Sequence, residues 1–148
     1  MQKNILIING SYRDDGITDQ TIAIICDYLR KKGAEIDTVF LRDEDFKFCL
    51  NCHECMQKPG PNPEPCVQID AMKEIVEKLE RADALVLASP TNLGSVTSLF
   101  KRFMERLSVY AFWPWGAASP KYRKDVLPKN QRKKSTSCVF FCCPGNIV

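Results

Sequence analysis

The loop that follows the first apolar run has the residue types of an anion-binding site. It reads Asn9-Gly10-Ser11-Tyr12-Arg13-Asp14-Asp15-Gly16-Ile17-Thr18 and lies between apolar residues 5–8 and a segment with helical periodicity. A loop that leaves a buried strand and opens a helix directs backbone N–H groups and the positive end of the helix dipole at one point, where a phosphate can bind. Neither a dinucleotide nor a P-loop fingerprint is present, so a turn capped by Thr18 is the alternative interpretation.

Four of the eight cysteines form a second group with the chemistry of a ligand site. Cys49, Cys52 and Cys55 stand three residues apart, and Cys66 follows after a gap of ten residues that is rich in proline. Four thiolates are the number required by a cubane iron–sulfur cluster or by a tetrahedral zinc ion. The gap does not exclude closure, because loop-closure entropy grows only with the logarithm of length. Cluster, zinc and cysteines without metal therefore all stay open.

Length and composition indicate one ordinary globular domain. The chain has 148 residues, 45% of them hydrophobic, and a formal charge of +3. No apolar run approaches 18 residues, and the N-terminal run is too short for a signal peptide, so we expect a cytoplasmic protein with no membrane association. The basic excess lies in residues 121–134 and is typical of a solvated surface. We therefore expect no nucleic-acid partner.

Apolar runs alternate with amphipathic segments along the chain, which predicts a parallel sheet with helices on both faces. Each helix is predicted from apolar positions that recur with helical spacing, and Asp70 is predicted to cap the second one. The predicted strands are 5–8, 36–41, 84–88 and 139–143, and the predicted helices are 18–32, 72–79 and 99–107.

Four blocks in this order resemble the flavodoxin-like NAD(P)H-dependent FMN reductase family, in its iron–sulfur flavoprotein branch. They are Gly10-Ser11-x-Arg13-x-x-Gly16-x-Thr18, Leu41-Arg42-Asp43, Cys49-x-x-Cys52-x-x-Cys55 and Ser89-Pro90-x-x-x-Gly94-Ser95-Val96. The resemblance implies an α/β, flavodoxin-like three-layer sandwich with a parallel sheet of strand order 2-1-3-4. It also implies a single FMN-binding domain over residues 1–148. That fold has five strands and the sequence shows four, so we expect a C-terminally short domain whose fifth strand is missing.

The resemblance implies two FMN-binding loops. In the first, the phosphate contacts fall on Ser11, Arg13, Ile17 and Thr18, with Gly16 allowing close backbone approach. The second runs along the isoalloxazine edge, where backbone N–H groups stabilise the negative charge of reduced flavin. It comprises Pro90, Thr91, Asn92, Leu93, Gly94 and Ser95. The family commonly has an aromatic residue in this second loop, so we expect a ring-stacking contact to be missing.

For the cysteines, the resemblance implies a four-iron four-sulfur cluster held by Cys49, Cys52, Cys55 and Cys66. The gap before Cys66 is longer than the usual one in that branch. Cluster-free members of the wider family keep a similar cysteine run beside the flavin, so zinc and empty cysteines stay open as alternatives.

The function implied is an FMN-dependent oxidoreductase or electron-transfer flavoprotein that takes electrons from NAD(P)H or ferredoxin. No side chain stands out as a catalytic acid or base, so none is predicted. The resemblance also implies a homo-oligomer, a dimer or tetramer, with Trp113 and Trp115 as candidate interface residues. The alternative is a flavin-free metal-binding or structural domain on the same scaffold, because fold alone does not determine function.

Overall fold

The computed structural model describes residues 2–58, 63–112, 127–128 and 138–144. Trp113 and Trp115 lie outside these residues, so their predicted interface role is untested. Three helices and seven strands are described, and three short 3-10 turns join them. In chain order they are β1 (Asn4–Asn9), α1 (Ile17–Lys31), β2 (Glu35–Phe40), a turn (Leu41–Asp43), a turn (Glu54–Met56), α2 (Met72–Arg81), β3 (Ala84–Asn92), β4 (Ser95–Val96), α3 (Ser98–Arg106), a turn (Leu107–Tyr110), β5 (Ala111–Phe112), β6 (Leu127–Pro128) and β7 (Cys138–Pro144).

The parallel strands follow the order β2-β1-β3-β7. This is the predicted 2-1-3-4 order, which is confirmed, and β7 is the predicted fourth strand at 139–143. A fifth member of the sheet, β4, is short and antiparallel to β3. The strands β5 and β6 pair only with each other. The described residues add no further parallel strand.

Side chains of β1 alternate between the two faces of the sheet and divide the core into two layers. Leu6 and Ile8 pack with α2 and α3 in one cluster, whereas Ile7 packs with α1 in the other. All three are at most 1% exposed. The three-layer sandwich is therefore confirmed. No helix in the described part of the chain is both long and apolar enough to span a membrane.

The third strand is longer than the sequence predicts. A strand over 84–88 was expected to end at Ser89-Pro90, but β3 continues to Asn92 and turns back into β4. Leu93 and Gly94 form the turn with φ of +48° and +75°, the conformation of a hairpin with positive φ at both central residues. Part of the predicted second loop is thus a rigid hairpin arm.

A buried ion pair connects three segments that are distant in sequence. Arg106 at the end of α3 donates from Nη1 to Oδ2 of Asp70 at 2.7 Å and from Nη2 to Oδ1 at 3.0 Å. The two side chains are 1% and 6% exposed. Asp70 also accepts the backbone N–H of Met72 at 3.1 Å, which is the predicted capping role, and that of Lys47 at 3.0 Å. The pair therefore joins the end of α3 to the start of α2 and to Lys47, which precedes the segment that carries Cys49, Cys52 and Cys55.

The hydrogen bonds to Asp70 determine which charge state it holds. Burial alone would raise the pKa of this carboxyl, but the bonds from Arg106, Lys47 and Met72 lower it below its ordinary value. The carboxylate is therefore stabilised in its charged form, as the partner of a buried guanidinium requires.

We expect Asp70→Asn to destabilise the fold by about 3–5 kcal/mol, because it leaves Arg106 buried without a counter-charge. Urea unfolding at neutral pH measures this. The matched control is Asp37→Asn, which breaks the exposed pair with Lys78 at 3.0 Å and should cost no more than about 1 kcal/mol.

The same variant has an expected pH dependence. A carboxyl whose folded pKa is lowered stabilises the protein fully above its unfolded pKa, about 3.9, and loses that stabilisation as pH falls through the folded pKa. The difference in unfolding free energy between wild type and Asp70→Asn should therefore narrow below about pH 4. A difference that stays constant into acid would contradict the ion-pair explanation.

Candidate functional site

The loops after β1, β2 and β3 meet at the carboxyl edge of the sheet, where open α/β sheets bind ligands. Three side-chain contacts hold them together. Thr97 Oγ1 donates to the carbonyl oxygen of Gly10 at 2.7 Å, and the Tyr12 and Ser98 hydroxyls lie 2.9 Å apart. Arg42 donates to the backbone oxygen of Arg13 at 3.4 Å. The first predicted loop and the hairpin are therefore neighbours.

The β3–β4 hairpin lies beyond the end of β1. Thr91 pairs with Val96 in β4 and with Pro144 in β7. β4 therefore lies on the same side of β3 as β1, which pairs with the earlier residues 84–88 of that strand. Gly10 fills the corner between them, and a Cβ there would lie 2.5 Å from a ring carbon of Phe100. Glycine is therefore needed for the first loop to approach α3 this closely.

The start of α1 has the features of an anion cradle. Gly16 is the N-cap residue of the helix, and because it has no side chain, no side-chain oxygen caps the first N–H groups of α1. Thr18 is 5% exposed, and its hydroxyl has no hydrogen-bond partner among the described residues. Arg13 is exposed, and its side chain makes no ion pair with the described part of the chain. The positive helix end, a hydroxyl and a guanidinium therefore lie within residues 13–18, and each can interact with an anion.

Ser11 has a different environment from the other predicted phosphate ligands. It is 2% exposed, and its hydroxyl both accepts from the N–H of Arg13 and donates to the carbonyl oxygen of Arg13, each at 3.2 Å. Its own N–H donates to Asn9 Oδ1 at 2.9 Å. These contacts fix the shape of the loop around Ser11.

Sequence reasoning missed the charge balance behind this loop. Arg42 donates to both carboxylate oxygens of Asp19, at 3.2 and 3.0 Å, and to Asp14 at 2.9 Å. Burial lowers the pKa of the guanidinium, but hydrogen bonding and attraction to Asp19, with Asp14 adding to them, raise it above its ordinary value. One arginine thus offsets carboxylates that would otherwise repel an anion. The only sequence signal was the Leu41-Arg42-Asp43 block, which carried no assigned role.

All four predicted cysteine ligands line one cavity of about 40 Å³, together with Arg106. Cys55 is buried, and the other three are half-buried. Burial raises the pKa of the Cys55 thiol, and the nearby sulfurs of Cys66, Cys49 and Cys52 raise it further. The structure therefore brings together four thiols that span 18 residues of sequence.

Left-handed backbone turns direct the first three cysteines towards this cavity. Asn51 and His53 have φ of +52° and +60°, and the Asn51 Oδ1 and His53 Nε2 atoms lie 2.6 Å apart. Asparagine and histidine are among the residues that tolerate this conformation best, although it is uncommon outside glycine. The Asn51 N–H also donates to the Cys49 sulfur at 3.4 Å.

Among the described residues, no group of three or more histidine, cysteine, aspartate or glutamate side chains is arranged as the ligand set of one metal ion. A tetrahedral zinc site would need four sulfurs about 2.3 Å from a common centre. No such preformed set is present in the described part of the chain.

Comparison with known proteins gives consistent matches. Residues 3–125 match the family described as NADPH-dependent FMN reductase. An iron–sulfur flavoprotein of Archaeoglobus fulgidus is 31% identical over 102 residues, which cover 69% of this chain and 47% of the relative. One of Methanocaldococcus jannaschii is 34% identical over 99 residues, which cover 67% and 48%. The chain therefore spans about half the length of these relatives.

Solved structures show the same fold. The NAD(P)H:quinone oxidoreductase from Methanothermobacter marburgensis matches with a TM-score of 0.65 at 17% identity, covering 96% of this chain and 66% of that one. RosB with a bound flavin-type intermediate matches with a TM-score of 0.54 at 20% identity, with the same coverage. The fold and the sequence matches agree, and this chain belongs to the NADPH-dependent FMN reductase family.

Proposed function

We propose that residues 1–148 form an FMN-binding domain of an oxidoreductase that moves electrons between NAD(P)H or a ferredoxin and an acceptor. The observation that carries this proposal is the uncapped start of α1, which presents the unpaired Thr18 hydroxyl and faces the same edge of the sheet as the hairpin. Membership of a family named for FMN reduction supports the choice of FMN as the phosphate-bearing ligand.

The phosphate of FMN would be held by the anion cradle. Thr18 and the backbone N–H groups of Ile17 and Thr18 would donate to its oxygens, and Arg13 would add a charge-assisted bond. Gly16 keeps the approach open, because a side chain there would contact Arg13 at 3.2 Å. The proposed role of Ser11 is to hold the shape of the loop through its hydroxyl. Its hydroxyl would make little direct contact with the phosphate.

The isoalloxazine ring would lie against the hairpin. Its proposed contacts are Pro90, Thr91, Asn92, Leu93, Gly94 and Ser95. Because β3 and β4 pair on both sides of the turn, their backbone groups are fixed before a ligand arrives, which favours electrostatic stabilisation of developing negative charge. Leu93 at the tip is fully exposed and would cover the ring in place of an aromatic residue. When bound, FMN supplies hydride and single-electron transfer.

We expect Thr18→Val to weaken FMN binding about tenfold or more, because a hydrogen bond to a charged group contributes roughly 1.5–3 kcal/mol. Titration of FMN fluorescence against the purified protein measures the Kd. Thr21→Val is the matched control, since that hydroxyl lies one turn later on α1 and donates to the Ile17 carbonyl oxygen at 2.8 Å.

The control should keep the wild-type Kd for FMN. Equal Kd values for wild type and Thr18→Val would contradict the phosphate assignment. A wild-type protein that binds no FMN at all would support the alternative of a flavin-free domain on this scaffold.

The second part of the proposal is a four-iron four-sulfur cluster held by Cys49, Cys52, Cys55 and Cys66. Four thiols lining one cavity supply the required donor set. A cubane cluster binds each of four cysteines through a different iron atom, so four cysteines around one cavity provide one ligand for each iron. With such a cluster, single-electron exchange with a ferredoxin becomes the favoured function. Without it, a nicotinamide-dependent reductase is favoured.

We expect Cys55→Ala to reduce the iron and sulfide taken up on anaerobic reconstitution to less than half of the wild-type content, because a cubane cluster needs four ligands. Cys26→Ala is the matched control: this cysteine is also buried, but it packs between α1 and the sheet. Iron and acid-labile sulfide assays on both variants measure the effect. Equal loss in both variants would point to general destabilisation and contradict the ligand assignment.

A further inference from the structure

Arg106 carries a buried hydrogen-bond donor that the fold itself does not use. The residue is 2% exposed at the end of α3. Its Nη1 atom donates to Asp70 and to the carbonyl oxygen of Lys47 at 2.9 Å, and Nη2 donates to Asp70. The Nε atom is buried and has no partner within the described part of the chain. Leaving such a buried donor unpaired is unfavourable.

The residue that carries this unpaired Nε–H is part of the wall of the cavity between the four cysteines. Arg106 lines that cavity with all four cysteines. Burial lowers the pKa of the guanidinium, but Asp70 and the adjacent Cys66 sulfur raise it above its ordinary value. Cys66 also lines a second, neighbouring cavity together with Arg106, which the other three cysteines do not. A group with sulfur acceptors in this cavity would satisfy the Nε–H.

We propose that Arg106 is a positioning residue that donates a hydrogen bond from Nε to the Cys66 sulfur of a bound iron–sulfur cluster and raises the reduction potential of that cluster. This inference rests on the proposed function of the four cysteines. It adds a determinant of the potential that lies 40 residues beyond Cys66 in the sequence and on a different structural element.

The direction of the effect follows from charge. The cluster gains one negative charge on reduction, so a donor aimed at its sulfur stabilises the reduced form more than the oxidised form. The positive charge of Arg106 is largely balanced by Asp70 at 2.7 Å. The hydrogen bond should therefore matter more than the net charge, which is a local effect of the kind that outer ligands exert on metal centres.

The test is the Arg106→Lys variant. Lysine keeps the positive charge and can still pair with Asp70, but it has no Nε–H. The matched control is Arg102→Lys, one turn earlier on α3, where the guanidinium stacks on the Phe46 ring at 4.2 Å and does not line the cavity. Both proteins and the wild type are reconstituted anaerobically with ferrous iron and sulfide, and the midpoint potential is measured by redox titration followed by electron paramagnetic resonance.

We expect Arg106→Lys to shift the equilibrium about tenfold towards the oxidised cluster, a midpoint potential lower by about 59 mV for a one-electron couple. Arg102→Lys should keep the wild-type potential. If Arg106→Lys does not fold, the double variant Arg106→Met with Asp70→Leu replaces it, since apolar residues can substitute for a buried ion pair. The same downward shift is expected there.

Two results would overturn the inference in distinguishable ways. Full iron and sulfide content in Arg106→Lys with an unchanged potential would show that Arg106 serves only the fold, and the proposed cluster would stand. A wild-type protein that takes up neither iron nor sulfide would remove the cluster itself, and this inference with it.

Discussion

The ion pair between Asp70 and Arg106 is the interaction on which the arrangement of the cysteines depends. The segment that carries them leaves the core after Lys47 and returns at Asp70. Lys47 donates its N–H to the Asp70 carboxylate and accepts a hydrogen bond from Arg106 at its carbonyl oxygen, while Asp70 pairs with Arg106 directly. Taking both charges out of water is unfavourable, and only close geometry with further hydrogen bonds offsets that cost. The backbone bonds of Lys47 and Met72 supply them. A loop with little regular structure is thereby held at both ends.

A second charge network serves the other candidate site in a similar way. The Arg42 guanidinium forms ion pairs with both Asp14 and Asp19. Its positive charge reduces the excess of negative charge that these two carboxylates would otherwise place beside the anion cradle. Thr97 and the tight approach at Gly10 then fix the hairpin against the same loop. In both places an arginine from one element fixes a loop of another, and the candidate ligand-binding groups lie on or next to those loops. This division between rigid support and accessible site is what a cofactor domain requires.

The sequence predicts the layers and the strand order well, because the buried strands and the amphipathic helices each have a clear period. It predicts the position of the loop between β1 and α1 for the same reason, since that loop joins two such elements. The hairpin was missed because Pro90 and Gly94 are typical of a loop, so the strand over 84–88 is predicted to end before them. The pairs Asp70–Arg106 and Arg42–Asp19 were missed because they join residues 36 and 23 positions apart, and no local pattern links them. Spacing also could not show whether Cys66 joins the other cysteines.

We propose that this domain holds both a flavin and an iron–sulfur cluster. The most direct test is the absorption spectrum of anaerobically purified protein, with FMN, iron, acid-labile sulfide and zinc measured on the same sample. We expect flavin bands with about one FMN, four irons and four sulfides per chain. Zinc in place of iron, or a colourless protein that takes up no added FMN, would contradict it.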